Sequence, residues 1–101
     1  MMNSKRVNQK RHEFFFQKSI VITGASSGVG RCLAYWYLNH GAKVTLVGQD
    51  VQAMKVIGSE FPGQAMIVCC QLVKDKEVLD LKKAVIEKMG GIDILINCAG
   101  K

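Results

Sequence analysis

Four short runs rich in Val and Ile, Ser19 to Thr23, Lys43 to Val47, Ala65 to Cys69 and Asp93 to Asn97, alternate with three longer amphipathic stretches. Parallel neighbours in a sheet need a crossover of about a dozen residues or more, usually helical, and each gap here holds one. The runs are apolar almost throughout, as strands buried on both faces read. Right-handed crossovers give the sheet order 3-2-1-4, because the chain must reverse across the sheet after its third strand to return beside the first. The expected fold is therefore α/β: a Rossmann-like, doubly wound parallel sheet, here a half-fold of about four strands and three helices. The reversal opens a crevice at the carboxyl ends of the strands, where ligands of such sheets bind.

The helical stretches carry their own punctuation. Val29, Leu33, Trp36 and Tyr37 recur at helical spacing, and Gly41 after Asn39-His40 can take the left-handed conformation that ends a helix. Asp50 can cap a second helix bearing Val51, Met54 and Ile57, with a stop at Gly58 and the Phe61-Pro62-Gly63 turn. Val78, Leu81, Val85, Ile86 and Met89 form the apolar stripe of a third, closed by Gly90-Gly91.

Between the first strand and the first helix lies Thr23-Gly24-Ala25-Ser26-Ser27-Gly28-Val29-Gly30. A chain that turns sharply there can bring bare backbone close to a pyrophosphate and aim helix N-terminal amides at it; glycine serves both needs by lacking a Cβ. Ser26 and Ser27 can add hydroxyl donors. A tight loop that binds nothing is the alternative, and the strand before it and helix after it favour the nucleotide reading. A P-loop is excluded because no Gly-Lys-Ser/Thr follows.

These residues resemble the short-chain dehydrogenases/reductases. The glycine run matches the T-G-x-x-x-G-x-G fingerprint of that family, and Asn97-Cys98-Ala99-Gly100 matches its N-N-A-G motif with Cys in place of the second Asn. The resemblance covers Ser19 to Gly100. It implies an oxidoreductase moving hydride between a nicotinamide dinucleotide and a carbonyl or alcohol. By position, Gly24, Ser26, Ser27, Gly28, Val29 and Gly30 would line the pyrophosphate and adenosine ribose. Asn97 would brace the central strand, and Ala99 and Gly100 would approach the nicotinamide-side ribose.

Cofactor choice turns on the end of the second strand, where an acid holds a ribose 2′-hydroxyl and a base a 2′-phosphate. Gly48 stands at the acidic position and Gln49 at the basic one, while Asp50 reads as a helix cap. With no carboxylate there to repel a phosphate, NADP is favoured over NAD. After the third strand Gln71, followed by Leu72, replaces the Asp with which the family binds the adenine amino group. A Gln carbonyl accepts that bond without charge assistance and so more weakly.

The family's catalytic Ser and Tyr-x-x-x-Lys lie further along its chains, and this sequence ends before them. The two tyrosines, Tyr35 and Tyr37, have Asn39 and Gly41 four residues on and read as packing residues. The expectation is a cofactor-binding half that turns nothing over alone. The competing expectation is a non-catalytic module whose open sheet edge is completed by a partner or a second copy.

The net charge of +6 invites a nucleic-acid reading, but Lys5, Arg6, Lys10, Arg11 and Lys18 against Glu13 place +4 of it in the first 18 residues. The remainder carries no basic stripe with interleaved aromatics, so nucleic acid ranks last. Residues 1 to 18 read as a basic, disordered tail before a domain spanning 19 to 101, although Phe14, Phe15 and Phe16 could equally pack against that domain. A cytosolic location is expected, with a mitochondrial presequence second, and no apolar run approaches the ~20 residues that span a bilayer. Cys32, Cys69, Cys70 and Cys98 fit neither metal nor disulfide spacing and read as buried free thiols. His12 and His40 have no convergent ligand partners.

Overall fold

The computed structural model describes residues 14–69 and 75–98, with side chains of the last helix described from Leu79 onward. Strand β1 (Ser19–Thr23) leads into helix α1 (Gly28–Asn39), and β2 (Lys43–Gly48) into α2 (Val51–Ser59). Strand β3 (Ala65–Cys69), α3 (Asp75–Met89) and β4 (Ile94–Asn97) complete the chain. The four strands form one parallel sheet in the order β3-β2-β1-β4. This is the Rossmann-like order expected from the crossovers. Asp93, expected in the last strand, lies just outside it: its amide donates to Ser19 O at 2.8 Å and its carboxylate accepts from Ser19 N at 2.7 Å.

The register divides the apolar residues between two layers. Ile20 pairs with Val44 and Ile94, and Ile22 with Leu46 and Ile96, so these side chains share the face covered by α1 and α2. Val21 and Val47 lie on the opposite face with Leu81 and Val85 of α3. Burial on both faces holds for β1 and β2; the edge strands β3 and β4 are only partly covered, with Leu95 64% exposed. Leu46 is fully buried at the centre of the α1/α2 layer. We expect Leu46→Ala to cost about 2–5 kcal/mol, read as a fall in the urea midpoint, because the rigid sheet beneath it cannot collapse into the void.

The punctuation of the helices is as expected, but their rotation is not. Gly41 at φ +84° follows α1 and Gly90 at φ +83° follows α3. Asp50 caps α2 by accepting from Ala53 N at 3.1 Å. Gly58, expected to end α2, instead sits in its last turn; the stop comes at Glu60, followed by Gly63 at φ +82°. On α1 the buried stripe is Gly30, Ala34 and Leu38, with Leu33 and Tyr37 half-buried beside it. Val29 and Trp36, expected in that stripe, are 68% and 38% exposed. At its N-terminal end the helix lies so close to the turn after β1 that Gly30 has no room for a side chain, which sets the rotation that turns Val29 and Trp36 outward. Ile86 of α3 is likewise exposed rather than buried, while Leu81 and Val85 face the sheet. Val78 lies within α3 but outside the side chains described.

Residues 14 to 18 pack on the domain. Phe15 meets Trp36 and Tyr37 edge-on, at ring separations of 5.3 Å each, and Gln17 N donates to Gly41 O at 2.8 Å. The last turn of α1 is thereby covered by the chain that precedes β1. Residues 1–13, including His12, lie outside the described residues.

Candidate functional site

The turn after β1 is shaped by three glycines with different duties. Gly24 and Gly28 have φ of +67° and +59°, in the left-handed region where a Cβ is penalised. Gly30 is conformationally ordinary but spatially constrained: a Cβ there would lie 2.1 Å from the carbonyl oxygen of Gly24. Between them Ala25 is fully buried, and its amide donates to Val47 O at 3.1 Å, pinning the loop to the end of β2. Ser27 is the N-cap of α1 in an extended conformation, yet its side chain makes no cap bond and the first turn holds no acid. The leading amides of α1, at the positive end of the helix, are thus capped neither by the Ser27 side chain nor by a first-turn acid.

The end of β2 borders the same loop. A Cβ on Gly48 would lie 3.2 Å from Ser26 Oγ and 3.4 Å from Met54 Sδ, so the missing side chain lets Ser26 sit against the strand. Gln49 is exposed, and Cys69 Sγ at the end of β3 donates to its carbonyl at 3.8 Å. The Asp50 carboxylate is engaged by the α2 amide it caps.

On the other side of β1, the end of β4 is clasped to it. Thr23 Oγ1 donates to Asn97 Oδ1 at 2.7 Å, and the Cys98 amide donates to both Thr23 O, at 3.1 Å, and Thr23 Oγ1, at 3.2 Å. Thr23→Val keeps the shape and removes the hydroxyl; we expect a loss of about 1–2 kcal/mol in chemical denaturation.

The structure thus brings together, around the carboxyl ends of β1, β2 and β4, the predicted residues Gly24, Ser26, Ser27, Gly28, Val29, Gly30, Gln49 and Asn97. Gln71, Leu72, Ala99 and Gly100 lie outside the described residues. Sequence reasoning passed over Thr23, Ala25 and Gly48 as positioning residues. The sequence marks Gly48 only as the end of the second strand, and nothing in the pattern points to its closeness to Ser26 or to the Ala25 amide.

The cysteines correct the expectation of buried thiols. Cys32 and Cys69 are exposed and Cys98 is half-buried, because Cys32 lies on the outer side of α1 and the other two end or follow edge strands; Cys70 lies outside the described residues. Tyr35 stands apart from the site: its hydroxyl donates to Glu60 Oε2 at 3.1 Å, and desolvation together with that carboxylate raises its pKa above the usual tyrosine value. A phenol so held is a poorer proton donor, which suits packing. Among the described residues no three His, Cys, Asp or Glu converge as metal ligands, and no helix is long and apolar enough to cross a membrane.

Comparison with known proteins agrees with this geometry. The sequence pattern of the short chain dehydrogenase family matches residues 18–101. The chain belongs to the short-chain dehydrogenase family. An uncharacterised oxidoreductase of Staphylococcus epidermidis is 36% identical over 85 residues, covering 84% of this chain and 37% of that protein. A 3-dehydrosphinganine reductase of Danio rerio is 39% identical over 89 residues, covering 80% and 27% respectively. Among solved structures of the family, L-sorbose reductase of Gluconobacter frateurii, complexed with NADPH and L-sorbose, superposes with a TM-score of 0.77 at 31% identity, covering 86% of this chain and 35% of that one. The chain therefore spans roughly a third of the length of these short-chain dehydrogenases.

Proposed function

We propose that the turn Gly24 to Gly30 holds the pyrophosphate of a nicotinamide dinucleotide, and that the protein is the cofactor-binding part of an oxidoreductase acting on carbonyl or alcohol groups. The observation that carries the reading is the open space at Gly28: among the described residues, no atom beyond its chain neighbours and the adjoining helix backbone lies within 4 Å of where its Cβ would be, although the residue sits at the mouth of a helix whose first turn is capped neither by Ser27 nor by an acid. Bare backbone, open space and positive helix end fit a diphosphate approaching the chain. Bound there, the nicotinamide would supply the hydride acceptor or donor. Ser26 and Ser27 would add hydroxyl contacts to phosphate, Val29 would flank it, and Gly30 would keep the helix close enough for its amides to reach. Asn97 would hold β4 against Thr23, so that Ala99 and Gly100 continue towards the nicotinamide ribose, while Gln71 and Leu72 would border the adenine.

NADP is the preferred cofactor in this reading. Asp50 Oδ1, beside the end of β2, accepts from Ala53 N and is tied to the α2 cap, leaving exposed Gln49 and side-chain-free Gly48 where a 2′-phosphate would lie. The NADPH found with the L-sorbose reductase supports the same choice. We expect NADPH to bind the chain about tenfold more tightly than NADH, and Gln49→Asp to erase the difference by setting a carboxylate against the phosphate. Equal affinities in the unaltered chain would overturn the preference. No Tyr-x-x-x-Lys occurs within these 101 residues, so by themselves they would bind cofactor without turnover. Oxidation of any alcohol by them alone would contradict that.

A further inference from the structure

The two faces of the sheet are sealed unequally. On the α1/α2 side Ile20, Ile22, Leu38, Leu46, Met54 and Ile57 close a continuous apolar layer. On the α3 side the buried apolar residues, among those described, are Val21, Val47, Leu81 and Val85. The same face carries Ser19 and Thr45: Ser19 stands two residues before Val21 on β1, and Thr45 lies in register between Val21 and Met66. Both are buried, and among the described residues neither Ser19 Oγ nor Thr45 Oγ1 has a hydrogen-bond partner. A hydroxyl kept from water without a partner is a standing cost to the closed layer, recovered once water enters. Meanwhile α3 leaves Leu79 and Ile86 exposed instead of adding them to the seam.

The strand that follows does not depend on this helix for its place. β4 is clasped to β1 at its start by Asp93, whose amide donates to Ser19 O and whose carboxylate accepts from Ser19 N, and at its end by Thr23 with Asn97 and Cys98. Between α3 and that clasp stand Gly90 and Gly91, at φ +83° and +145°. Beyond their chain neighbours and the adjoining helix backbone, no described atom lies within 4 Å of a Cβ at either, so the join can turn without a steric obstacle. We propose that α3 is a hinged cover, swinging from the sheet about Gly90-Gly91 while the four strands and the α1/α2 layer stay folded. Opening hydrates both hydroxyls and uncovers Val21 and Val47, a smaller apolar loss than lifting α1 or α2. The glycine turn stays formed, since Ala25 N remains bonded to Val47 O and α1 lies on the other face. The inference therefore does not depend on the cofactor reading.

Native-state hydrogen exchange of the 101-residue chain, followed residue by residue by NMR in dilute urea, tests this. The amides of Leu81 to Met89 should exchange on the order of a hundredfold faster than those of Ala34 to Leu38, and with a weaker urea dependence, as a unit that opens ahead of the whole. Thr45→Val keeps the shape while removing one unpaired hydroxyl, and should slow the α3 amides about tenfold. The unaltered chain decides the main point whatever the variant does. Exchange of α3 and α1 at one common rate, with one urea slope, would mean that the helix leaves the sheet only in global unfolding and would overturn the proposal. Rates that climb steadily towards Met89, instead of matching across Leu81 to Met89, would also overturn it, since they mark fraying and not a cover moving as one body. So would α3 exchange left unchanged or quickened by Thr45→Val, which would show the hydroxyl to be held in the closed layer, as by a buried water.

Discussion

Gly30→Val should leave little folded protein. A Cβ at this position would approach the Gly24 carbonyl oxygen to 2.1 Å and its carbon to 2.8 Å, distances that backbone atoms cannot accept. Neither party can yield cheaply. Gly24 is the left-handed hinge at the end of β1, and Ala25 beside it is buried and bonded to β2. Relief requires α1 to lift from the sheet, which uncovers Ala34 and Leu38 in the same layer as Ile20 and Ile22. Overpacking that displaces a whole helix is expected to cost on the order of 3 kcal/mol or more, a large share of the stability of a domain this small. Thermal unfolding by circular dichroism reads the effect. A variant melting within a few degrees of the unaltered chain would mean that the helix does not rest on this glycine.

At Gly28 the same substitution should act on binding instead. Among the described residues, no atom beyond the chain neighbours and the adjoining helix backbone lies within 4 Å of the added Cβ, and the cost to folding is the left-handed backbone at φ +59°, about 1–2 kcal/mol for a non-glycine residue. The space a valine would fill is the space through which a diphosphate would reach the α1 amides. We expect Gly28→Val to lower NADPH affinity by about a hundredfold while the chain still folds cooperatively, because several charge-assisted backbone bonds would be lost at once. The two glycines, two residues apart in one turn, thus separate stability from binding. If Gly28→Val bound NADPH as well as the unaltered chain, the pyrophosphate would have to lie elsewhere.

How legible these features were in the sequence depended on whether a residue acts through its size or through the lack of it. Strands and their order could be read because Val and Ile cluster in runs and because a parallel sheet admits few crossover routes. Helix ends could be read because Gly41, Gly90 and Asp50 perform local tasks that need those residue types. The rotation of α1 could not. Apolar periodicity counts large side chains, and this helix is seated by Gly30 and Ala34 ahead of Leu38, so the periodicity puts Val29 and Trp36 on the wrong side. Trp36 gains instead a neighbour that no periodicity reveals, Phe15, from a stretch whose charge suggested a disordered tail. The exposed cysteines went the same way: thiols are usually buried, but these three fall on an outer helix side or at strand ends.

The candidate site divides similarly. The glycine turn is legible because motif and flanks agree, and Asn97 because its motif places it at the end of the fourth strand, where it meets Thr23. In the sequence Gly48 reads as a missing acid, whereas its place in the fold is the room it leaves for Ser26. That contact depends on how closely β2 lies to the loop, a distance set by the Ala25 to Val47 bond and absent from any linear pattern.

The most direct test of the central claim is a calorimetric titration of the folded 101-residue chain with NADPH, run beside Gly28→Val. A single saturable site in the first and its loss in the second, with both proteins showing cooperative melts, is the result this account predicts. Absence of binding by the unaltered chain, or binding undiminished by the valine, would contradict it.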